Sequence, residues 1–188
     1  MENTYREVLL ISEDYIKSES LMDDNLSPKY LLTAIKLSQD VELRSIIGEC
    51  LLSTIQQKVY DGEIDDTENI KYKDLLDYYI QPFLLYQVLS ETIIPVSYKI
   101  ANFGLMNTDD EKAAVVSNAH INLIREQYLN KANVYKKRLQ DYLCQNRSSY
   151  PELDDCCDVN LYSSTSSGIW LGGTRGKMVP KDCCGGCK

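Results

Sequence analysis

The sequence predicts a mainly α-helical protein: a helical bundle with a small β-hairpin and an extended C-terminal tail. Three observations predict this class. Residues 72–94 are apolar on nearly every side of a helix, as in a buried helix. Residues 121–142 carry apolar side chains at steps of three and four over about six helical turns. The last 38 residues hold six of the nine glycines and five of the seven cysteines, which is not core composition. We therefore expect a helical domain over residues 1–150 and a tail over residues 151–188.

The N-terminal part predicts two short helices, each marked by a capping residue. Residues 5–11 are predicted as a short strand or an extended lead-in. Ser12, followed by two acidic residues, predicts a helix that runs to about Leu21. Ser27 before a proline predicts the start of the next helix, because proline is tolerated at the first helical position.

A third helix is predicted from a second cap. Asp40 precedes a run of apolar residues at helical spacing that ends at Tyr60. Gly48 within that run is predicted to be either a close packing point or a bend. Residues 61–68 hold five acids among eight residues and are predicted to form a solvated loop.

The central segment is predicted to be a core helix followed by a hairpin. Pro82 removes one amide donor, so the helix either kinks there or begins afresh, and Pro95 is predicted to end it. Residues 96–100 alternate enough to form a short strand, and residues 105–106 are predicted to return as its partner.

The longest helix is predicted to open at a capping box formed by Thr108 and Glu111. Its inward stripe consists of Ile121, Ile124, Tyr128, Ala132, Tyr135, Leu139 and Tyr142. Off this stripe lie the basic residues Arg125, Lys131, Lys136, Lys137 and Arg138. This helix therefore gives an acidic protein one basic face, and Tyr150 followed by a proline ends the pattern.

Charge and hydropathy restrict the class of protein. There are 20 basic and 28 acidic residues, for a net charge of −8, so the long-range field repels phosphate. This argues against a free-standing binder of nucleic acid or of an anionic membrane, but not against a channel through which DNA slides without adhering. No apolar run approaches the roughly 18 residues of a membrane span, and the N-terminus does not read as a signal peptide. We expect a protein made in a reducing cytoplasm, with no membrane partner.

No catalytic constellation is evident, and we predict that the protein is not an enzyme. Its single histidine, His120, lies beside the apolar stripe of the longest helix and is interpreted as a packing or surface residue. The segment 172–177 departs from a phosphate-binding loop, since Leu171 stands where the motif has glycine and Met178 where it has Ser or Thr. No catalytic or cofactor-binding residue is therefore assigned.

The cysteines are the only candidates for metal chemistry. Cys184 and Cys187 have the spacing of a zinc knuckle, and Cys157 is a further candidate ligand. Cys156 and Cys183 are also available, but adjacent cysteines are awkward because neighbouring side chains diverge. The default interpretation is free thiols, with no metal and no cofactor.

The tail carries one apolar cluster, Ile169, Trp170 and Leu171, between glycines and polar residues. Such a cluster in an otherwise polar tail binds a partner, folds back on its own domain, or remains disordered. Binding to a partner is the interpretation that we favour.

The order of three stretches resembles a known class of proteins. They are NLSPKYLLTAIKLSQDVELRSIIGECLLSTIQ, YKDLLDYYIQPFLLYQVLSETIIPVSYKIANFGL, and NKANVYKKRLQDYLCQN followed by YPEL. Together they resemble the head-tail connector proteins of tailed bacteriophages, most of all the ring-forming adaptors of crAss-like Bacteroides phages. The resemblance covers residues 8–153, rests on order and spacing, and excludes the glycine- and cysteine-rich tail.

The resemblance implies a structural virion protein at the head-tail interface, assembled in the host cytoplasm. It implies a homo-oligomer, a ring of twelve copies, that binds the portal protein on one side and the neighbouring tail ring on the other, with double-stranded DNA passing through the channel. In such a ring, Lys136, Lys137 and Arg138 are predicted to contact acidic loops such as residues 61–68 of a neighbouring copy. The tail cluster would contact the portal. The alternative is a cytoplasmic helical regulatory module with a zinc-binding cysteine tail.

Overall fold

The computed structural model describes residues 8–22, 26–101, 104–107 and 118–155. The prediction of a mainly helical protein is confirmed. The helices are α1 (Glu13–Ser18), α2 (Pro28–Leu37), α3 (Arg44–Asp61), α4 (Ile70–Leu75), α5 (Gln81–Ser97), α6 (Asn118–Gln145) and α7 (Glu152–Asp155). The strands are β1 (Tyr98–Ala101) and β2 (Gly104–Asn107).

Both N-terminal helices begin where the sequence predicts, but only Ser12 caps its helix, since the Ser27 side chain forms no capping hydrogen bond. The Ser12 side chain accepts a hydrogen bond from the Tyr15 backbone N–H at 3.1 Å and caps α1. Helix α1 ends at Ser18 rather than at Leu21, which is fully exposed. Helix α2 begins at Pro28, with Ser27 before it.

The predicted cap at Asp40 is wrong, because the chain does not leave the helical conformation there. A π-helical turn, Ser38–Leu43, joins α2 to α3, and both residues that flank it are helical. Because no helix begins at Asp40, the backbone N–H groups after it are not the unpaired N–H groups of a helix start that a cap would satisfy. The π-helical turn instead leaves Gln39 and Leu43 buried.

Gly48 is a bend rather than a packing point alone. Its backbone lies at φ 78° and ψ 165°, where the helix is interrupted within α3. A residue with a Cβ atom strongly disfavours this region of backbone conformation.

We expect Gly48→Ala to lower the free energy of unfolding by about 2 kcal/mol, because alanine is strained at this backbone conformation. Gly62→Ala is the matched control. Gly62 is also left-handed (φ 74°, ψ 15°), but it is exposed, and a Cβ atom there meets nothing within 4 Å. Its expected loss is nearer 1 kcal/mol. Urea unfolding of both variants measures the difference, and an equal or smaller loss at Gly48 would contradict the assignment.

The central helix continues through both prolines. A second π-helical turn, Leu76–Ile80, joins α4 to α5, and Pro82 follows two residues after its end. The wider backbone spacing of this turn accommodates a residue that has no N–H to donate. Pro95 lies inside the last turn of α5, which ends at Ser97, so the predicted stop is two residues early.

The two strands follow α5 directly. They pair antiparallel, with Tyr98 opposite Asn107 and Ala101 opposite Gly104. The first strand begins at Tyr98 rather than at Val96, because residues 96–97 are still helical. The capping box at Thr108 and Glu111 lies outside the described residues.

Helix α6 returns along α5 in the opposite direction. Tyr79 stacks on Tyr142, and Tyr86 stacks on Tyr135, so residue numbers rise along one helix as they fall along the other. The predicted inward stripe is confirmed at Ile121, Ala132 and Leu139, which are buried. Ile124 is exposed, although the stripe predicted it to face inward.

The packed core extends past the predicted boundary at residue 150. Tyr150 is fully buried, and Leu153 in α7 is buried as well. Both belong to the same apolar cluster as α2, α3 and α5. The core therefore includes the segment that leads into the C-terminal tail.

Candidate assembly surface

Stacked tyrosines set the register between α5 and α6. The ring centroids are 4.0 Å apart for Tyr79 and Tyr142, and 5.2 Å apart for Tyr86 and Tyr135. Tyr135 and Tyr142 are seven residues apart on α6, so they lie on nearly the same side of it, while Tyr79 lies in the second π-helical turn and Tyr86 in α5. This register determines where the charged residues of α6 are presented.

Two of the α6 cations are paired within the subunit. Arg125 lies 3.7 Å from Glu91 of α5, and Lys136 lies 3.6 Å from Glu42 in the first π-helical turn. Both pairs are partly exposed, so each contributes little to stability. Both cations nevertheless have a carboxylate partner within the same chain.

Three other cations of α6 surround an exposed valine and define what we call the basic patch: Lys131, Val134, Lys137 and Arg138. Val134 is 61% exposed. Lys131 lies three residues before it, and the other two cations lie three and four residues after it, which makes them its neighbours on a helix. Within the described part of the chain, none of the three cations pairs with a carboxylate; Lys131 lies over two tyrosine rings and Arg138 over one.

The predicted trio Lys136, Lys137 and Arg138 therefore does not form a single face. Consecutive residues of a helix are rotated by about 100°, and Lys136 turns inward to Glu42 while Arg138 lies over Tyr135. The structure places Lys137 and Arg138 around Val134 and adds Lys131, which the trio did not include. Helical spacing would have found Lys131, since it lies one heptad before Arg138.

The complementary feature is the acidic loop, residues 60–70. Its five carboxylates, at Asp61, Glu63, Asp65, Asp66 and Glu68, lie on exposed residues, as predicted for a solvated loop. The loop is ordered by its own contacts, since the Asn69 side chain donates to the Glu63 carbonyl at 2.8 Å and Lys73 bonds to Asp65.

Large apolar side chains stand at both ends of this loop. Tyr60 is 57% exposed and Ile70 is 59% exposed. The sequence prediction treated the loop as purely solvated and did not identify these two residues. Exposed large apolar side chains beside polar residues are typical of a surface that contacts another protein.

Hydrogen bonds hold the last described segment of the chain against the core. The Tyr150 hydroxyl donates to the Lys71 carbonyl at 2.9 Å, and the Tyr72 hydroxyl donates to Glu152 Oε1 at 2.6 Å. Lys71 Nζ also donates to the Ser149 carbonyl at 2.5 Å. The C-terminal segment is thereby fixed to the start of α4, at the same end of the subunit as the acidic loop.

This anchor predicts a loss of stability in alkali. Burial is the main cause that raises the pKa of both Tyr72 and Tyr150, and hydrogen bonds to Glu152 and to Tyr142 add to it. An ordinary tyrosine ionises near pH 10, so the unfolded chain releases these protons first. The stabilising contribution is full below pH 10 and is lost as the pH rises above it.

We expect the urea midpoint of the wild-type protein to fall as the pH rises above 10, and to fall less steeply in the double variant Tyr72→Phe/Tyr150→Phe. Tyr78→Phe is the control, because the ring of Tyr78 is exposed. Unfolding curves between pH 8 and pH 11 measure the slope. Identical slopes in all three proteins would contradict this account of the anchor.

The other sequence candidates do not come together in the described structure. His120 is exposed near the start of α6, which agrees with its interpretation as a surface residue. Among the described residues, no group of three His, Cys, Asp or Glu side chains could hold a metal ion. Cys157, Cys184, Cys187 and the cluster Ile169, Trp170 and Leu171 lie outside the described residues.

Two cysteines lie in the described part of the chain. Cys50 of α3 is disulfide-bonded, so the expectation of free thiols is wrong at this position. Cys144 of α6 is half-buried and is not in a disulfide. We also find that none of the helices in the described ranges is long and apolar enough to cross a membrane.

Comparison with known protein families finds a match over most of the chain. A family model described as a family of unknown function, DUF6712, matches residues 43–162. The match begins at the end of the first π-helical turn and includes the acidic loop, the basic patch and the anchored segment. No curated protein and no solved structure matches the chain.

Proposed function

Since this chain belongs to the DUF6712 family, whose function is unknown, we propose its role from its own residues: it is a structural virion protein, a head-tail connector. In this role, copies form a ring between the portal and the next tail ring, and DNA passes through the channel. The observation that supports it most is a packed helical core that presents separate basic and acidic surfaces and anchors the start of its C-terminal tail.

The two charged surfaces suit a ring. They lie on different elements of the same copy, α6 and the loop between α3 and α4, so one copy can offer its basic patch to one neighbour and its acidic loop to the other. Contacts of this head-to-tail kind close into rings when the rotation between neighbours is a whole fraction of a turn. The sequence resemblance to ring-forming adaptors supports the same assembly.

The anchored segment suits the expected role of the tail. The contacts of Tyr72 and Tyr150 hold residues 150–152 against the core, shortly before residues 156–188 in the chain. A tail that starts from a fixed point reaches its partner at a higher effective concentration than one attached through a long flexible linker. In this proposal the cluster Ile169, Trp170 and Leu171 contacts the portal.

Native mass spectrometry of the protein, alone and mixed with the portal protein of the same phage, tests this function. We expect a portal-dependent ring near twelve copies of the 21.5 kDa chain, or about 260 kDa. A monomer that ignores the portal and carries bound zinc would overturn the connector and favour the alternative, a regulatory module with a zinc-binding tail.

Trp170→Ala tests the tail cluster separately. We expect portal binding to weaken by roughly 2 to 4 kcal/mol, because a buried tryptophan is a frequent anchor of protein interfaces. Titration of the portal against each variant measures the loss, and Tyr162→Ala in the same tail is the control. Undiminished binding by the Trp170 variant would show that the anchor lies elsewhere.

A further inference from the structure

We infer that the basic patch of one copy binds the acidic loop of a second copy, with Val134 packed between Tyr60 and Ile70. This inference rests on the proposed ring, and it names the two surfaces that hold neighbouring copies together. It replaces the contact predicted from the sequence, in which Lys136 had a part and no apolar residue was involved.

The basic patch and the acidic loop carry opposite charges. Three cations surround Val134, and none of them pairs with a carboxylate in the part of the chain that the structure describes. The acidic loop carries five exposed carboxylates, of which Asp65 pairs with Lys73, and no basic residue between Tyr60 and Ile70. Opposite charges on two protein surfaces favour their encounter and disfavour contact between like surfaces.

Both surfaces also present exposed apolar side chains. The most exposed large apolar side chain of α6 is Val134, at the centre of the basic patch, while Tyr60 and Ile70 bound the acidic loop. An exposed apolar residue inside a charged rim is the usual arrangement of a protein interface. The exposed apolar residue lies at the centre of the basic patch, whereas the two exposed apolar residues of the acidic loop lie at its ends.

The two surfaces lie at different positions along α6. Lys73 pairs with Asp65, and Lys71 bonds to Ser149 just after α6, so the loop lies at the C-terminal end of α6. Val134 lies eleven residues before that end, at Gln145, which is about 16 Å along a helix. The contacts of Lys71 and Lys73 therefore do not bring the acidic loop of a copy against its own basic patch. In our inference, the loop of a second copy binds that patch.

Isotope-resolved crosslinking tests the contact without the portal. Equal amounts of unlabelled and ¹⁵N-labelled protein are mixed at high concentration and treated with a carbodiimide, which joins an amine to a carboxylate within contact distance and releases water. We expect mixed-isotope peptides that link Lys131 or Lys137 to carboxylates of residues 61–68. Exclusively same-isotope links, or mixed links that avoid these segments, would overturn the inference.

Charge reversal provides the second measurement. Lys137→Glu/Arg138→Glu in the patch, and Glu63→Lys/Glu68→Lys in the loop, should each reduce the mixed-isotope links at least tenfold. A one-to-one mixture of the two variants should restore them, because each reversed surface then meets its complement. Lys29→Glu/Lys36→Glu on α2 is the matched control and should leave the yield unchanged. Failure of the mixture to restore the links would overturn the inference.

These outcomes are separate from those of the proposed function. Mixed-isotope links at the named segments, together with no ring on the portal, would retain the contact and reject the connector. A ring on the portal without these links would retain the connector and reject the contact.

Discussion

Tyr150→Ala is expected to lower the free energy of unfolding by about 4 kcal/mol, which is the largest effect that we predict for a single substitution. The Tyr150 ring is fully buried against the core, and truncation of a buried aromatic ring to alanine removes its apolar contacts and leaves a cavity. Its ring also contacts the rings of Tyr72 and Tyr142 edge to face, and these contacts are lost with it.

The loss should be largest locally, at the segment that leads into the tail. The Tyr150 hydroxyl holds the Lys71 carbonyl, and Lys71 Nζ holds the Ser149 carbonyl in return. We expect hydrogen exchange of residues 147–153 to accelerate in Tyr150→Ala well before the rest of the core opens. In Tyr150→Phe, which keeps the ring, the loss should be only about 1 to 2 kcal/mol.

Urea unfolding and hydrogen exchange measure these effects, with Tyr78→Ala as the control. The Tyr78 ring is exposed, so its truncation should change the free energy of unfolding by less than about 0.5 kcal/mol. If Tyr150→Ala and Tyr78→Ala were equally stable, the core could not extend to Tyr150.

Gln39→Met is expected to lower the free energy of unfolding by about 2 to 3 kcal/mol, although it preserves the volume of the side chain. Gln39 is 2% exposed. Its side-chain oxygen accepts from the Leu10 backbone N–H at 2.9 Å, and its side-chain nitrogen donates to the Val8 carbonyl at 3.0 Å. Methionine makes neither bond, so the buried Leu10 amide loses its partner.

Glutamines of two other segments hold the same extended stretch. Gln56 of α3 also donates to the Val8 carbonyl at 3.0 Å, and Gln81 at the start of α5 donates to the Leu10 carbonyl at 3.2 Å. The lead-in therefore binds three helical segments through its backbone. Because Val8 keeps the bond from Gln56, the loss at Gln39 arises chiefly at the Leu10 amide.

Gln57→Met is the matched control for this prediction. The Gln57 side chain donates to Asp61 one turn later on the partly exposed side of α3, at 2.6 Å, so its loss should be within about 0.5 kcal/mol. Urea unfolding compares the two variants, and exchange of the Leu10 amide locates the change. A protected Leu10 amide in Gln39→Met would rule out this explanation.

The sequence alone determined the helical class of the protein and several of its boundaries. Ser12 and Pro28 mark helix starts because capping and the fixed φ of proline act within a few residues. The burial of Ala132 and Leu139 followed from helical periodicity, and the exposure of residues 61–68 followed from their charge. Each of these features depends on local interactions, which a sequence pattern records directly.

Only the tertiary structure decided the features that depend on contacts between distant segments. The helix passes through Asp40 and Pro82 because π-helical turns fit the packing of neighbouring helices, and no local signal overrides that packing. Lys136 pairs within its own chain because Glu42, 94 residues away in the sequence, lies 3.6 Å from it. Tyr150, which the sequence suggested as an end point, is buried because Tyr72 and Lys71 contact it across the fold.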